Sequence, residues 1–192
     1  GAPAFGSHLA MLQRALPESS VDTIAELVTF TEALQTVQAE GEARLPHFPD
    51  TPGLAYVLRT LQRFPHATLS RVIHRTYPYL VLGDPAEQVA VEVAMTRILR
   101  GTARDSLQSQ SDYLCVGVTR SKEDPSVAAV ALKATAVADT YARVQVPCGP
   151  GPLQLDVEAS HFVELDFHQQ ILCEMIQDHA TGLDLCLVGE KG

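Results

Sequence analysis

The sequence predicts a mixed α and β chain: an N-terminal helical bundle, a β-rich connector, and then a helix and first strand that open an α/β core and stop. Three patterns predict this. Apolar residues recur at helical spacing through the first hundred positions. Valine-rich runs divided by proline and glycine turns follow Gln110. Helical spacing then returns at Asp166, ahead of a short apolar run and the turn Gly189-Glu-Lys-Gly192. With 192 residues and 46% hydrophobic content, the chain can bury a core in one or two domains.

Ser19 and Ser20 are suited to cap the first clear helix, with Asp22 and Thr23 in its first turn. Val21, Ile24, Leu27, Val28, Leu34 and Val37 form its apolar stripe, and the helix ends near Gly41. Residues 44–50 contain two prolines and read as a loop. Thr51-Pro52 then supplies a cap and first turn, Leu54, Val57, Leu58 and Leu61 a stripe, and Phe64-Pro65 a close. A third helix spans Thr68 to Tyr77, with Leu69, Val72, Ile73 and Tyr77 on one side. Arg71, His74 and Arg75 are expected on its opposite, hydrated face, and Pro78 breaks it. Asp84-Pro-Ala-Glu87 has the form of a capping box, and Val89, Val93, Thr96 and Leu99 carry a fourth helix to Gly101. Four short helices joined by proline-containing loops describe a small bundle over residues 1–110.

Residues 111–159 change character. Tyr113 to Thr119, Val127 to Val137, Tyr141 to Val146 and Leu153 to Val157 favour strands, separated by Ser121-Lys-Glu-Asp-Pro125 and Pro147-Cys-Gly-Pro-Gly-Pro152. The alanine-heavy Val127 to Val137 run also admits a helix; strand is the reading adopted. From 160 to 192, Asp166 caps a helix whose face is Ile171, Leu172, Met175 and Ile176. Gly182 ends it, and Leu183 to Val188 reads as a buried strand.

Composition narrows the function classes. A net charge of −9 argues against nucleic acid or an anionic membrane as main partner. No apolar stretch approaches the ~20 residues of a membrane span. The four cysteines are far apart, so zinc binding by Cys and His spacing is disfavoured. Cys173 and Cys186 read as small core residues of a reducing compartment. Cys148 reads as exposed, without the electropositive neighbours that would activate it. The start lacks methionine, a charged segment and a hydrophobic segment, which reads as an internal fragment.

The chemistry-bearing motif is the terminal turn. Gly189 stands where a G-x-x-x-x-G-K-[ST] loop has its first glycine, directly after an apolar strand. The lysine that reaches phosphate and the hydroxyl that holds magnesium would follow Gly192. Lys191 sits too close to Gly189 for that role and reads as a solvated loop charge. His168, Cys173 and His179 share a helix, but their spacing does not put three metal ligands on one side. His161, Glu164 and Asp166 suggest acid–base chemistry, yet no nucleophile elbow accompanies them. No catalytic residue and no metal ligand is assigned.

Ser160-His-Phe-Val163, Phe167-His-Gln-Gln-Ile-Leu-Cys-Glu-Met-Ile-Gln-Asp-His179 and Cys186-Leu-Val-Gly-Glu-Lys-Gly192 together resemble the mitochondrial von Willebrand factor A domain-containing AAA+ ATPases, of the dynein and MoxR-like branch. The segment Leu54 to Leu99 is similar, more loosely, to that family's lid helices. The resemblance implies a lid-like bundle at 1–110, a connector at 111–159 and the start of a truncated P-loop AAA+ core at 160–192. It implies Gly189 and Gly192 as ATP-binding loop glycines. ATP and magnesium would be the cofactors of the complete protein, with none tightly bound to the fragment. Neighbouring AAA+ modules would be its partners, with homo-oligomerisation a further option, and the mitochondrion its location. ATP hydrolysis would drive conformational change in the complete protein, while the fragment alone lacks activity.

One departure concerns the lid. MoxR-like lids often open a helix with Ser-Thr-Arg, whereas this chain reads Asp50-Thr51-Pro52-Gly53, which puts hydrolysis by the preceding module in doubt. Arg59 and Arg63, further along, read as exposed surface charges. Arg71 and Arg75 have an alternative role as contacts to a neighbouring subunit's phosphate. From another class, the chain reads as a non-catalytic helical and β interaction module with no nucleotide site. A small-molecule enzyme built on His161 ranks below both.

Overall fold

The computed structural model describes residues 5–41, 44–45, 51–99, 111–149, 151 and 165–184. The mixed α and β reading holds, and the chain divides into two compact units, Gly1–Ser109 and Gln110–Gly192.

The first unit is helical: α1 Phe5–Ala15, α2 Val21–Ala39, α3 Thr51–Arg63, α4 Leu69–Thr76, α5 Tyr79–Leu82 and α6 Pro85–Ile98. The sequence reading had anticipated four of these; α1 and the single turn α5 are additions. Helix α2 packs against α1, α3 and α6, α3 against α4, and α5 against α6. Its buried side is Ile24, Leu27, Val28, Thr31 and Leu34, a strict helical stripe, with Phe30 beside it. Thr31 is tolerated there because its hydroxyl bonds back to the Leu27 carbonyl at 2.8 Å. Val21, expected in the stripe, is exposed, since it is the first residue of the helix and lies outside the packed turns. Ser20 occupies the cap position without a capping side-chain hydrogen bond. Leu54, Val57 and Leu58 of α3 are buried as expected, as are Val72, Ile73 and Tyr77 of α4 and its C-cap.

Helix α6 corrects the expectation most clearly. Asp84 does cap it, accepting from the Glu87 amide at 2.8 Å with Pro85 as first helical residue. Yet Val89, Val93 and Thr96 are exposed, and the buried side is Glu87, Val91, Ala94 and Met95. Apolar residues run nearly all round this helix, so periodicity could not choose its inner face. Tertiary contacts chose a face containing an acid.

The second unit holds three strands, β1 Tyr113–Arg120, β2 Val127–Ala134 and β3 Tyr141–Pro147, in an antiparallel meander ordered β1-β2-β3, with helix α7 Asp166–Thr181. The alanine-heavy run is thus a strand. Its alternation decides the matter: Ala128, Val130, Leu132 and Ala134 are buried on one side while the intervening residues are only partly covered. Val144 faces Val130 across the β2–β3 pair, and Tyr113 faces Ala134 across β1–β2. Helix α7 packs on β1 and β3. The register slips between Cys115 and Gly117, a bulge that leaves Val116 unpaired opposite β2. Arg120 ties down the strand ends, donating to the carbonyls of Pro125 (2.6 Å), Gly149 (2.9 Å) and Gly151 (2.6 Å).

Two expectations for α7 fail. Leu165 occupies the cap position and Asp166 is the first helical residue, so Asp166 is not the cap. The buried face is Cys173, Ile176, Gln177 and Asp178, while Leu172 is exposed. The helix is rotated relative to its most hydrophobic stripe because it must match the sheet. Gly182 does end it, at φ 80°, with its amide bonded to the carbonyls of Asp178 and His179 and the Leu183 amide bonded back to Asp178. The proposed strands at 153–157 and 183–188 lie outside the described residues, apart from 183 and 184.

Gly83 sits where α5 turns into α6, and a β-carbon there would come within 2.6 Å of the Tyr79 carbonyl oxygen and 2.9 Å of a Glu87 carboxylate oxygen. The backbone carbonyl cannot swing aside as a flexible side chain could. Gly83→Ala is therefore expected to destabilise the helical unit by about 1–3 kcal/mol in urea unfolding followed by circular dichroism. Gly117→Ala, with open space around its new methyl group, serves as the comparison and should stay within about 1 kcal/mol of wild type.

Candidate functional site

Among the described residues of the helical unit, polar and titratable side chains gather where α4, α5 and α6 meet. Glu87 is only 1% exposed, one turn into α6. An isolated carboxylate at that depth would cost several kcal/mol. Tyr77 removes that cost by donating its hydroxyl to Glu87 Oε1. In a capping box Glu87 would reach back to the Asp84 amide; here its side chain accepts from the tyrosine, and only the Asp84 half of the box is built. A second phenol follows: Tyr79 donates to Glu92 Oε1 at 2.7 Å and lies 3.2 Å from Met95 Sδ. The two tyrosine rings pack at 5.6 Å, and His74 meets the Tyr79 ring edge-on at 5.7 Å. Gln88 completes the junction by donating to the Gly83 carbonyl at 2.9 Å.

The electrostatics make this junction a clamp. Burial, and then the bond to Glu87, push the Tyr77 phenol far above its ordinary pKa, so it stays a donor. Burial pushes the His74 imidazole down; Glu92 works against that shift and Arg71 adds to it. Arg71 is itself buried. Of the three residues expected on a hydrated face of α4, Arg71 is thus enclosed while His74 and Arg75 are half-buried. An arginine enclosed in this way is not free to reach a neighbouring subunit's phosphate.

The helical unit also has a cleft of about 360 Å³ between the start of α2 and the α3–α4 connection. Ser19, Ser20, Thr23 and Glu26 line one side, Leu58 and Gln62 the other. The Ser19 hydroxyl is buried there without a hydrogen-bond partner. Glu18 and Glu26 at the wall oppose a polyphosphate, so this cleft does not suit a nucleotide's charged end.

Other candidates disperse. Arg59 and Arg63 are exposed on α3, as expected of surface charges. Thr51 and Pro52 lie in the first turn of α3. His168 and His179 are exposed at opposite ends of α7, while Cys173 is buried between them. Among the described residues no group of three or more His, Cys, Asp or Glu is placed to hold a metal ion. Likewise, among them no helix is long and apolar enough to cross a membrane. Cys148 is half-buried rather than exposed, its sulfur 3.4 Å from the Pro125 carbonyl. His161, Glu164, Cys186, Gly189, Lys191 and Gly192 lie outside the described residues, and with them the whole loop motif. The sequence reading missed the tyrosine–glutamate clamp. Its one visible signal was the capping box, which named Glu87 but for a different bond.

The chain is similar to von Willebrand factor A domain-containing protein 8 of Mus musculus, 28% identical over 190 residues. The matched stretch is 98% of this chain but 9% of the mouse protein. The resemblance therefore runs through the helical unit and the sheet, well beyond the residues after Ser160 that first suggested it. No family model and no solved structure matches.

Two outcomes follow from the clamp. Tyr77→Phe leaves the Glu87 carboxylate buried without its donor and should cost about 1–3 kcal/mol in urea unfolding. Because His74 titrates lower in the folded state than its ordinary 6.5, the unfolded chain takes up its proton first. Its contribution is whole above that value and is lost as pH falls below it. Urea midpoints should thus drop from pH ~7.5 to ~5.5, and His74→Gln should make that drop shallower.

Proposed function

We propose that this chain is one part of a multi-module AAA+ ATPase, contributing a helical, lid-like unit and the entry to a following nucleotide-binding core. The observation that carries this reading is the similarity to the mouse protein along nearly the whole chain. It is supported by the order of parts: helices, a small sheet, a helix closed by Gly182, then an apolar run ending in Gly189-Glu-Lys-Gly192. In the complete protein, Gly189 and Gly192 would let the backbone approach a nucleotide's phosphates, because a side chain there would block it. ATP, with magnesium, supplies the phosphoryl chemistry when bound. Neighbouring modules of the same chain would be the partners, in the mitochondrion. The 192 residues themselves lack the loop's lysine and hydroxyl residue and would not hydrolyse ATP.

A second reading has one feature in its favour. Val81 and Leu82 of α5 and Val89 and Val93 of α6 are exposed, with Val89 at 64%. Apolar residues so placed suit a helical module that docks against other protein, with or without a nucleotide site.

The two readings separate by experiment. The ATPase reading expects the isolated chain to show no ATP turnover, while a version extended past Gly192 to include a lysine and hydroxyl residue retains a labelled ATP analogue. Gly192→Val in the extended protein should weaken that retention on the order of tenfold or more. An extended protein that binds no nucleotide would leave only the interaction module.

A further inference from the structure

The cleft between the start of α2 and the α3–α4 connection has no part in the function proposed above. Its floor is apolar: Leu58 and Ala67 are buried, and Leu61 is half-buried. Its wall is polar, and one group there lacks a partner. The Ser19 hydroxyl oxygen is enclosed yet makes no hydrogen bond. Buried hydroxyls are normally bonded, so this one is open to a partner brought in from outside.

Charge decides what that partner is. Glu18 and Glu26 line the cleft, and no lysine, arginine or histidine does. The N-terminal amides of α2 act against a cation, but they amount to about half a positive charge. Asp22, in the first turn, offsets that end of the helix. The two full negative charges of Glu18 and Glu26 therefore prevail. A second, more open depression shares Glu26 and adds Asp22. Asp22 and Glu26 are one turn apart on α2, a rise of ~6 Å, so the acids form a row and not a point. Among the described residues no acidic group is placed to hold a metal ion, and a compact ion would leave the apolar floor unused.

We propose that this cleft binds a linear aliphatic polyamine. Its methylene groups lie over Leu58 and Leu61, where they leave water. Its ammonium groups sit at Glu18 and Glu26, and one of them donates to the Ser19 hydroxyl. Cations separated by short methylene chains match a row of carboxylates beside an apolar floor. The site owes nothing to the terminal turn, so it stands whether or not an extended protein binds ATP.

The test is isothermal titration of spermidine into the whole chain, with circular dichroism to confirm that each variant is folded. One spermidine should bind per chain, more weakly as salt is raised. Glu18→Gln combined with Glu26→Gln should weaken binding on the order of tenfold or more, and Ser19→Ala should weaken it several-fold. Glu123→Gln, in the other unit, should leave binding unchanged, and magnesium should displace spermidine no better than sodium at matched ionic strength. Several spermidines bound per chain without a preferred site, equal loss in Glu123→Gln, or ready displacement by magnesium would each reduce the effect to counterion association and overturn the proposal. A lysine-rich peptide that binds where spermidine does not would also overturn it, in favour of a protein partner.

Discussion

A carboxylate that water cannot reach organises the helical unit. Glu87 is committed to the interior by its place one turn into α6, and the Asp84 cap with Pro85 fixes that turn. Once buried, the acid requires a donor, and Tyr77 at the C-cap of α4 provides it. That bond sets the distance between α4 and α6, and α5 must fit as one turn between them. Gly83 is the residue that allows so close a turn. Tyr79, Glu92 and Met95 extend the same logic one turn further along α6. The consequence is visible on the outside: turning Glu87 and Met95 inward turns Val89 and Val93 outward.

The second unit solves a different problem. Among its described residues, three short strands have one side to cover, and α7 packs on β1 and β3. Small side chains on the buried side of β2, Ala128 and Ala134, let α7 approach, and Val130 and Leu132 fill the space between. The outer side carries Tyr141, Arg143 and Gln145 on β3 and stays exposed. Because the strands fix which residues α7 must present, Cys173 and Ile176 face inward, and Gln177 and Asp178 come with them.

Function, on the reading proposed here, is divided between what this chain holds and what a longer protein would add. The helical unit contributes shape, an internal clamp and an exposed apolar edge. The phosphate chemistry would belong to residues about the terminal turn and beyond it.

By itself the sequence determined the class, the order and most of the boundaries. Helical spacing at Ile24, Leu27, Val28 and Leu34, the Asp84-Pro85 start and the Gly182 stop are local signals, while the alanine-heavy run at Val127 to Ala134 admitted a helix until its alternating burial in the sheet made it a strand. Only the tertiary structure decided which side of α6 and α7 faces in, that Arg71 is enclosed, and that Glu87 bonds to Tyr77 and not to its own cap. Those outcomes depend on groups ten or more residues apart competing for one interior. Where apolar residues encircle a helix, periodicity gives no preferred side, and the most demanding polar group with an available partner settles the question.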